Sequence, residues 1–276
     1  MKKLIENINT KIDSNEGTWG IDCKDLDTNE TWQHNHDLPF TAASVIKVPI
    51  MVAAFKAFED KAFLFSDKME LKREERVGGS GVLQHMAAGT RLSIYDVMTL
   101  MIIQSDNTAT NMMIDLLGMN FIQRTMNELN LRNSSINNKL MIVSADREGP
   151  NLVTAEDMTQ LLAGIAGGKV VSEYACNKMM DILKKQQIND CLPANLPDPD
   201  NRWTGAPPKW SLAHKTGTVT NITHDVGVFY VGGRTFVASV LSKNIDNRRA
   251  RRIHMDIGEA IYTYLQGSHP NNVCQS

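Results

Sequence analysis

Three short patterns of reactive side chains occur in this chain in one order: Ser44-Val45-Ile46-Lys47, Ser105-Asp106-Asn107 and Lys215-Thr216-Gly217. By residue abundance S-x-x-K is expected about once in a chain this long, whereas S-D-N and K-T-G are each expected on the order of 0.05 times, so the ordered set carries the signal. A serine hydroxyl is a poor nucleophile until a neighbouring base takes its proton. Lys47, one helical turn beyond Ser44, lies within reach of that hydroxyl and becomes such a base if burial and nearby cations depress its pKa. Ser105 is placed to pass a proton to a leaving nitrogen, with Asn107 hydrogen-bonding both substrate and Lys47. Asp106 is then structural, holding its loop, and the same triplet also suits a helix cap. Lys215 and the Thr216 hydroxyl can hold an anionic substrate group, while Gly217 lets the backbone come close. The backbone N–H groups of Thr218 and Ser44 would make an oxyanion hole.

These residues need elements to position them. Ser44 opens an apolar helical stretch, Val45 to Phe58, whose start offers unpaired N–H groups and a positive dipole end. Pro49 leaves the Val45 carbonyl without a helical partner, so a tight or irregular first turn is expected. Met98 to Ile103 is apolar on every side, the mark of a buried helix, and Ser105 follows it directly. Ser93 before Asp96 and Thr154 before Asp157 read as N-caps, while Gly118 and Gly167 stand where helices should stop. The K-T-G triplet lies in Ser211 to Thr218, the first of three β-rich runs. The other two, Asp225 to Val231 and Thr235 to Leu241, are joined by Gly232-Gly233, which suits a two-residue primed turn. His214 should face away from the cleft, because adjacent strand residues alternate. Near the N-terminus, Leu4, Ile8 and Ile12 predict a short amphipathic helix over 3–13, followed by a hairpin of Trp19 to Cys23 and Glu30 to His34. A final helix is expected from Asn247 to Leu265.

The predicted architecture is therefore an α/β (α+β) fold. A discontinuous domain from residues 1–40 and 209–276 carries an antiparallel five-stranded sheet flanked by terminal helices. An all-α domain over 41–208 is inserted in it, and the cleft between the two is the expected active site. The Pro-rich segment 192–208 is a long connection.

Composition narrows the function classes. The 276 residues carry 29 basic and 31 acidic side chains, a formal charge of −2, which argues against nucleic-acid binding because phosphate neutralisation needs a clustered basic surplus. No apolar run is long enough to span a membrane. After Lys2 and Lys3 only Leu4 and Ile5 precede Glu6, so no export signal is read. A cytoplasmic chain is expected, or a secreted or periplasmic one whose leader has been removed. Cys23, Cys176, Cys191 and Cys274 form no C-x-x-C pair and read as ordinary thiols. His34-x-His36 lacks a third ligand nearby, so no metal and no cofactor are expected. Gly167-Gly168-Lys169 departs from a phosphate loop and reads as a helix end, Gly78 to Leu83 as a loop at the cleft mouth, and the fifteen methionines as core filler. Neither His85 nor His214 shows a readable partner.

The ordered motifs, spaced by 61 and then 110 residues within a strand-helix-strand frame, resemble a class A serine β-lactamase or a near relative among the penicillin-recognising serine hydrolases, over essentially the whole chain. The resemblance implies an acyl-enzyme on Ser44 formed from a small β-lactam or acyl-D-Ala-D-Ala-like substrate. Lys47 would assist, Ser105 would protonate the departing nitrogen, and Lys215 with Thr216 would bind the carboxylate. A monomer acting without nucleic acid or membrane is expected. One feature departs from the family: no E-x-x-L-N pattern occurs between Asn107 and Thr154. Lys139 or Leu140 stands where its water-activating glutamate belongs, and the nearest later carboxylate, Glu148, has a different context. That implies slow release of the acyl group, or a different base such as Lys47. A D-alanyl-D-alanine peptidase or small esterase, and a penicillin-binding sensor acylated once, are the alternatives.

Overall fold

Leu4, Ile8 and Ile12 form the buried stripe of helix α1 (Lys2–Asp13) in a computed structural model of the protein, which describes residues 1–14, 16–141, 149–199 and 208–267. Strands β1 (Thr18–Asp25) and β2 (Thr31–His34) follow as an antiparallel hairpin, its turn closed by Asn29 at φ 60°. The chain then runs through β3 (Phe40–Thr41), α2 (Lys47–Glu59), β4 (Lys68–Glu70), β5 (Arg91–Ser93), α3 (Ile94–Ile103), α4 (Asn107–Leu117) and α5 (Met119–Glu128). After β6 (Leu152–Val153), α6 (Ala155–Ala166) and α7 (Glu173–Leu183), it returns to long strands, β7 (Trp210–Val219), β8 (Ile222–Val231) and β9 (Arg234–Lys243), and ends in α8 (Asn247–Gly267). Among the described residues no helix is long and apolar enough to cross a membrane.

Five strands make one antiparallel sheet in the order β2-β1-β9-β8-β7. Strand alternation gives this sheet two different faces. Trp19, Ile21, Phe229, Phe236 and Val240 pack with α1 and α8 into one buried cluster. Ala213, Val226, Val228, Val237 and Leu241 point the other way and join the core of α2 to α7. The sheet flanked by terminal helices thus matches the sequence reading, and Gly232 and Gly233, at φ 57° and 82°, supply the primed turn expected between β8 and β9. Asp25 at the end of β1 pairs with Arg234, and Tyr264 of α8 donates to the same carboxylate at 2.9 Å, tying the last helix to the sheet.

The expected caps are present. Ser93 Oγ accepts from the Asp96 N–H at 3.1 Å while Asp96 Oδ2 accepts from the Ser93 N–H at 3.2 Å, and Thr154 Oγ1 accepts from the Asp157 N–H at 3.1 Å. One feature of the helical segment was not foreseen. Two short antiparallel ladders, β3 with β6 and β4 with β5, lie within or border it. N-cap residues have extended backbones, so Ser93 ends β5 and Thr154 follows β6; such short pieces show no period-2 pattern to read.

Candidate active site

Ser44 lies in a 3-10 turn, Ala43–Ile46, that runs straight into α2. This is the tight turn that Pro49 predicts, since the Val45 carbonyl has no α-helical donor. Ala43 enters it at φ 44°, a conformation that costs an alanine energy and is held only by its surroundings. Lys47 begins the helix and is fully buried, as is the apolar run behind it.

The Lys47 ammonium does not spend its hydrogen bonds on Ser44. Its Nζ donates to the Ser105 carbonyl at 2.6 Å, to Ser105 Oγ at 3.2 Å and to Asn107 Oδ1 at 2.9 Å. A buried amine with three donors takes the acceptors that saturate it, and those stand on the turn between α3 and α4. Among the described residues the half-buried Ser44 hydroxyl has no hydrogen bond of its own. Burial and then the charge of Lys215 hold the Lys47 amine well below the ordinary lysine range.

Ser105 occupies the turn at φ 52°, and its hydroxyl also accepts from Lys215 Nζ at 3.1 Å. Two lysines from distant parts of the chain therefore converge on one oxygen. Asp106 is the structural residue the sequence suggested. It caps α4 through the Ala109 N–H at 2.9 Å and accepts from the Val82 and Leu83 N–H groups at 2.6 and 2.8 Å. The loop Gly78 to Leu83 lies directly on this motif, with Asn107 Nδ2 donating to the Gly78 carbonyl at 3.1 Å. Gly81, at φ 105°, has no room for a side chain: a Cβ there would stand 2.3 Å from the Asp106 carboxyl.

Lys215 is fully buried on β7, the edge strand of the sheet, and burial lowers its pKa to about 7. Its Nζ also donates to the Thr216 carbonyl at 2.7 Å. Gly217 closes on Ser44: an added Cβ would lie 3.0 Å from the Ser44 backbone nitrogen. Thr218, next along the strand, is exposed. Lys215 and Thr216 leave opposite faces of β7, so one anion can meet both only at the strand's free edge. His214 faces away from Lys215, as alternation requires, but it has partners that the sequence did not reveal. Asp225 Oδ1 lies 2.8 Å from its Nδ1 and Asn189 Oδ1 3.0 Å from its Nε2.

Three further residues hold the site and carry no sequence signal, because each acts on a partner far away in the chain. His224 on β8, directly across from Gly217, has its Nε2 2.9 Å from the Thr41 carbonyl, just ahead of Ser44 in the chain; burial lowers its pKa to about 4, which favours the neutral ring. Gln186 Nε2 donates to the Ile102 carbonyl at 3.1 Å and to the His214 carbonyl at 3.2 Å, joining the approach to Ser105 with the approach to Lys215. Asn111 grips Leu140 from both sides: its Nδ2 donates to the Leu140 carbonyl at 2.9 Å, and its Oδ1 accepts from the Leu140 N–H at 2.8 Å. Lys139 pairs with Asp115 on α4. Neither position that stands in for the missing glutamate offers a carboxylate, and Glu148 lies outside the described residues.

The profile of the Beta-lactamase enzyme family matches residues 3–265. A β-lactamase of Proteus vulgaris is 25% identical over 235 residues, covering 82% of this chain and 74% of that protein. The crystal structure of a β-lactamase from Sphaerobacter thermophilus superposes with a TM-score of 0.85 at 28% identity, covering 97% of this chain and 98% of that one. A structure of PBP-A superposes with a TM-score of 0.84 at 28% identity, covering 96% and 97%, and a PBP-A mutant was solved as an acyl-enzyme complex with penicillin G.

Proposed function

The chain belongs to the Beta-lactamase enzyme family, and from that premise we propose that it is a serine hydrolase that opens β-lactam amides through an acyl-enzyme on Ser44. The observation that carries this reading is the convergence of Lys47 and Lys215 on Ser105 Oγ beside the unbonded Ser44 hydroxyl. Ser44 Oγ attacks the lactam carbonyl carbon, and its proton passes to the neutral amine of Lys47. The N–H groups of Ser44 and Thr218 hold the oxyanion, which the close approach of Gly217 permits. As the carbon–nitrogen bond breaks, Ser105 Oγ gives its proton to the nitrogen and is reprotonated from Lys47. The step returns both groups to their starting protonation and leaves an ester on Ser44. Lys215, with Thr216 at the strand edge, holds the substrate carboxylate, and the ammonium beside it supports the proton transfer through Ser105.

Release of the acyl group needs a base for water. Among the described residues no carboxylate bonds Lys47, Ser105 or Asn107, and Leu140 is fixed in place by Asn111. The acyl-enzyme is therefore expected to last longer than it takes to form, which gives weight to a D-alanyl-D-alanine peptidase or penicillin-binding reading on the same site. Intact-protein mass spectrometry over time with benzylpenicillin and with nitrocefin decides. The expected result is an adduct on Ser44, absent from Ser44→Ala, that decays slowly. Rapid return to free enzyme with product accumulating would sink slow release and establish a β-lactamase with another deacylating base. No adduct on Ser44 under any condition would overturn the assignment.

A further inference from the structure

A second polar cavity of about 510 Å³ lies between the β1–β2 edge of the sheet and α6, on the sheet face that also carries Lys215. From β7 to β1 is three inter-strand spacings, about 14 Å, so the two sites share a sheet without sharing residues. Trp19, Ile21 and Cys23 fill the opposite face, which sends Asp22 and Lys24 into the cavity beside their register partners Gln33 and Thr31. Ala163, Gly164 and Gly167 form the α6 wall and leave the space open.

The cavity is charged differently at its two ends. Glu156 stands in the first turn of α6 and Lys169 just past its last, about 18 Å apart. Asp22 and Lys24 follow the same order on β1, about 7 Å apart. Asp22 is only 4% exposed, yet it is poorly satisfied: Oδ2 accepts from Gln33 Nε2 at 3.3 Å, and Oδ1 has no hydrogen bond among the described residues. This oxygen is reachable from the cavity and has no donor among the described residues, so it is open to one from a ligand. The Thr159 hydroxyl donates to the Asp22 carbonyl at 3.1 Å and accepts from the Ser239 hydroxyl at 2.8 Å, which ties β1, β9 and α6 together beneath this carboxylate.

We propose that this cavity is a second binding site, separate from the Ser44 cleft, for a short linear peptide with free termini, its ammonium on Asp22 and Glu156 and its carboxylate on Lys24 and Lys169. The ammonium's three donors fit the unbonded Asp22 oxygen and the Glu156 carboxylate. An extended peptide of about two to five residues spans the separation of the charged ends. The groups that act on Asp22 are the Gln33 amide of β2, which donates to it, and the charged or titratable side chains of His36 beyond β2, Glu156 of α6 and Lys24 on its own strand. Burial outweighs the help of Gln33, His36 and Lys24, and with Glu156 opposing, the carboxyl is raised to about 6. Peptide binding should accordingly tighten about 10-fold between pH 5 and pH 7.5, as Asp22 ionises.

Calorimetry with triglycine, its N-acetyl form and its C-terminal amide tests the site at pH 7.5. The expected result is measurable binding of triglycine, loss of about 10-fold or more on acetylation, and a smaller loss on amidation. Asp22→Asn, nearly isosteric, should weaken triglycine binding about 10-fold while leaving penicillin labelling of Ser44 intact, and Glu156→Gln, on a half-buried helix position, should weaken it less. No binding of triglycine, equal binding of the acetylated form, or full binding to Asp22→Asn overturns the proposal. Loss of triglycine binding in Ser44→Ala also overturns it, by placing the peptide in the other cleft.

Discussion

In the proposed mechanism Lys47 and Lys215 would set the working pH of the site, because both amines are buried and both reach Ser105 Oγ. Burial and its cationic neighbour depress Lys47, so its neutral, basic form is populated well below the ordinary lysine range. The fraction of base grows as pH rises, and acylation should rise with it. Lys215, at about 7, loses its charge as pH rises, and its proposed capture of a carboxylate should fall. The second-order acylation rate for a penicillin should therefore be bell-shaped in pH, whereas a neutral ester should keep the rising limb and lose the falling one. Lys215→Ala removes the charge that helps depress Lys47 and should move the rising limb to higher pH. Stopped-flow acylation across pH checks this, and identical profiles for acid and ester substrates would remove Lys215 from anion binding. All of these residue types were legible, since S-x-x-K, S-D-N and K-T-G are defined by short spacing. The bond from Lys47 to Asn107 was legible too, but not those to the Ser105 carbonyl and hydroxyl, which Lys47 makes in place of one to Ser44, across a distance in sequence that no local pattern encodes.

At the scale of elements, the turn between α3 and α4 depends on a single carboxylate. Asp106 caps α4 and carries the Val82 and Leu83 amides of the glycine loop, with 1% of its surface exposed. Asp106→Ala should destabilise the protein by about 2–4 kcal/mol, a lost cap plus a stranded buried amide at Leu83 and a part-buried one at Val82. Urea unfolding measures it, and a loss under about 1 kcal/mol would show that the loop finds other partners. The helix starts were readable here because Ser93, Thr154 and Asp106 cap through neighbours three residues away. The ladders of β3 with β6 and β4 with β5 were not, being two- and three-residue pieces whose partners lie far along the chain.

Over the whole molecule, the terminal helix reaches the site through a chain of contacts. Gly258 on α8 lies so close to the connection after α7 that an added Cβ would stand 1.9 Å from the Leu192 carbonyl. The Leu192 N–H in turn donates to Asp225 Oδ2 at 3.0 Å, and Asp225 holds His214, the residue before Lys215. Gly258→Ala should cost about 2–3 kcal/mol by overpacking, read from the urea midpoint, and should slow penicillin acylation, read by mass spectrometry. Unchanged stability would mean that α8 can withdraw without disturbing the sheet. The sequence by itself determined the long helices and the strands of the five-stranded sheet, many of their ends, and which side chains are candidates for chemistry, because periodicity, caps and motif spacing are local and each residue states its own part. Tertiary structure alone decided that Ser105 is shared by two lysines, that His224, Gln186 and Asn111 hold the site, and that a second charged cavity opens beside α6. Those are contacts between segments tens to nearly two hundred residues apart, and only the packing of helices against one sheet brings them within a hydrogen bond's reach.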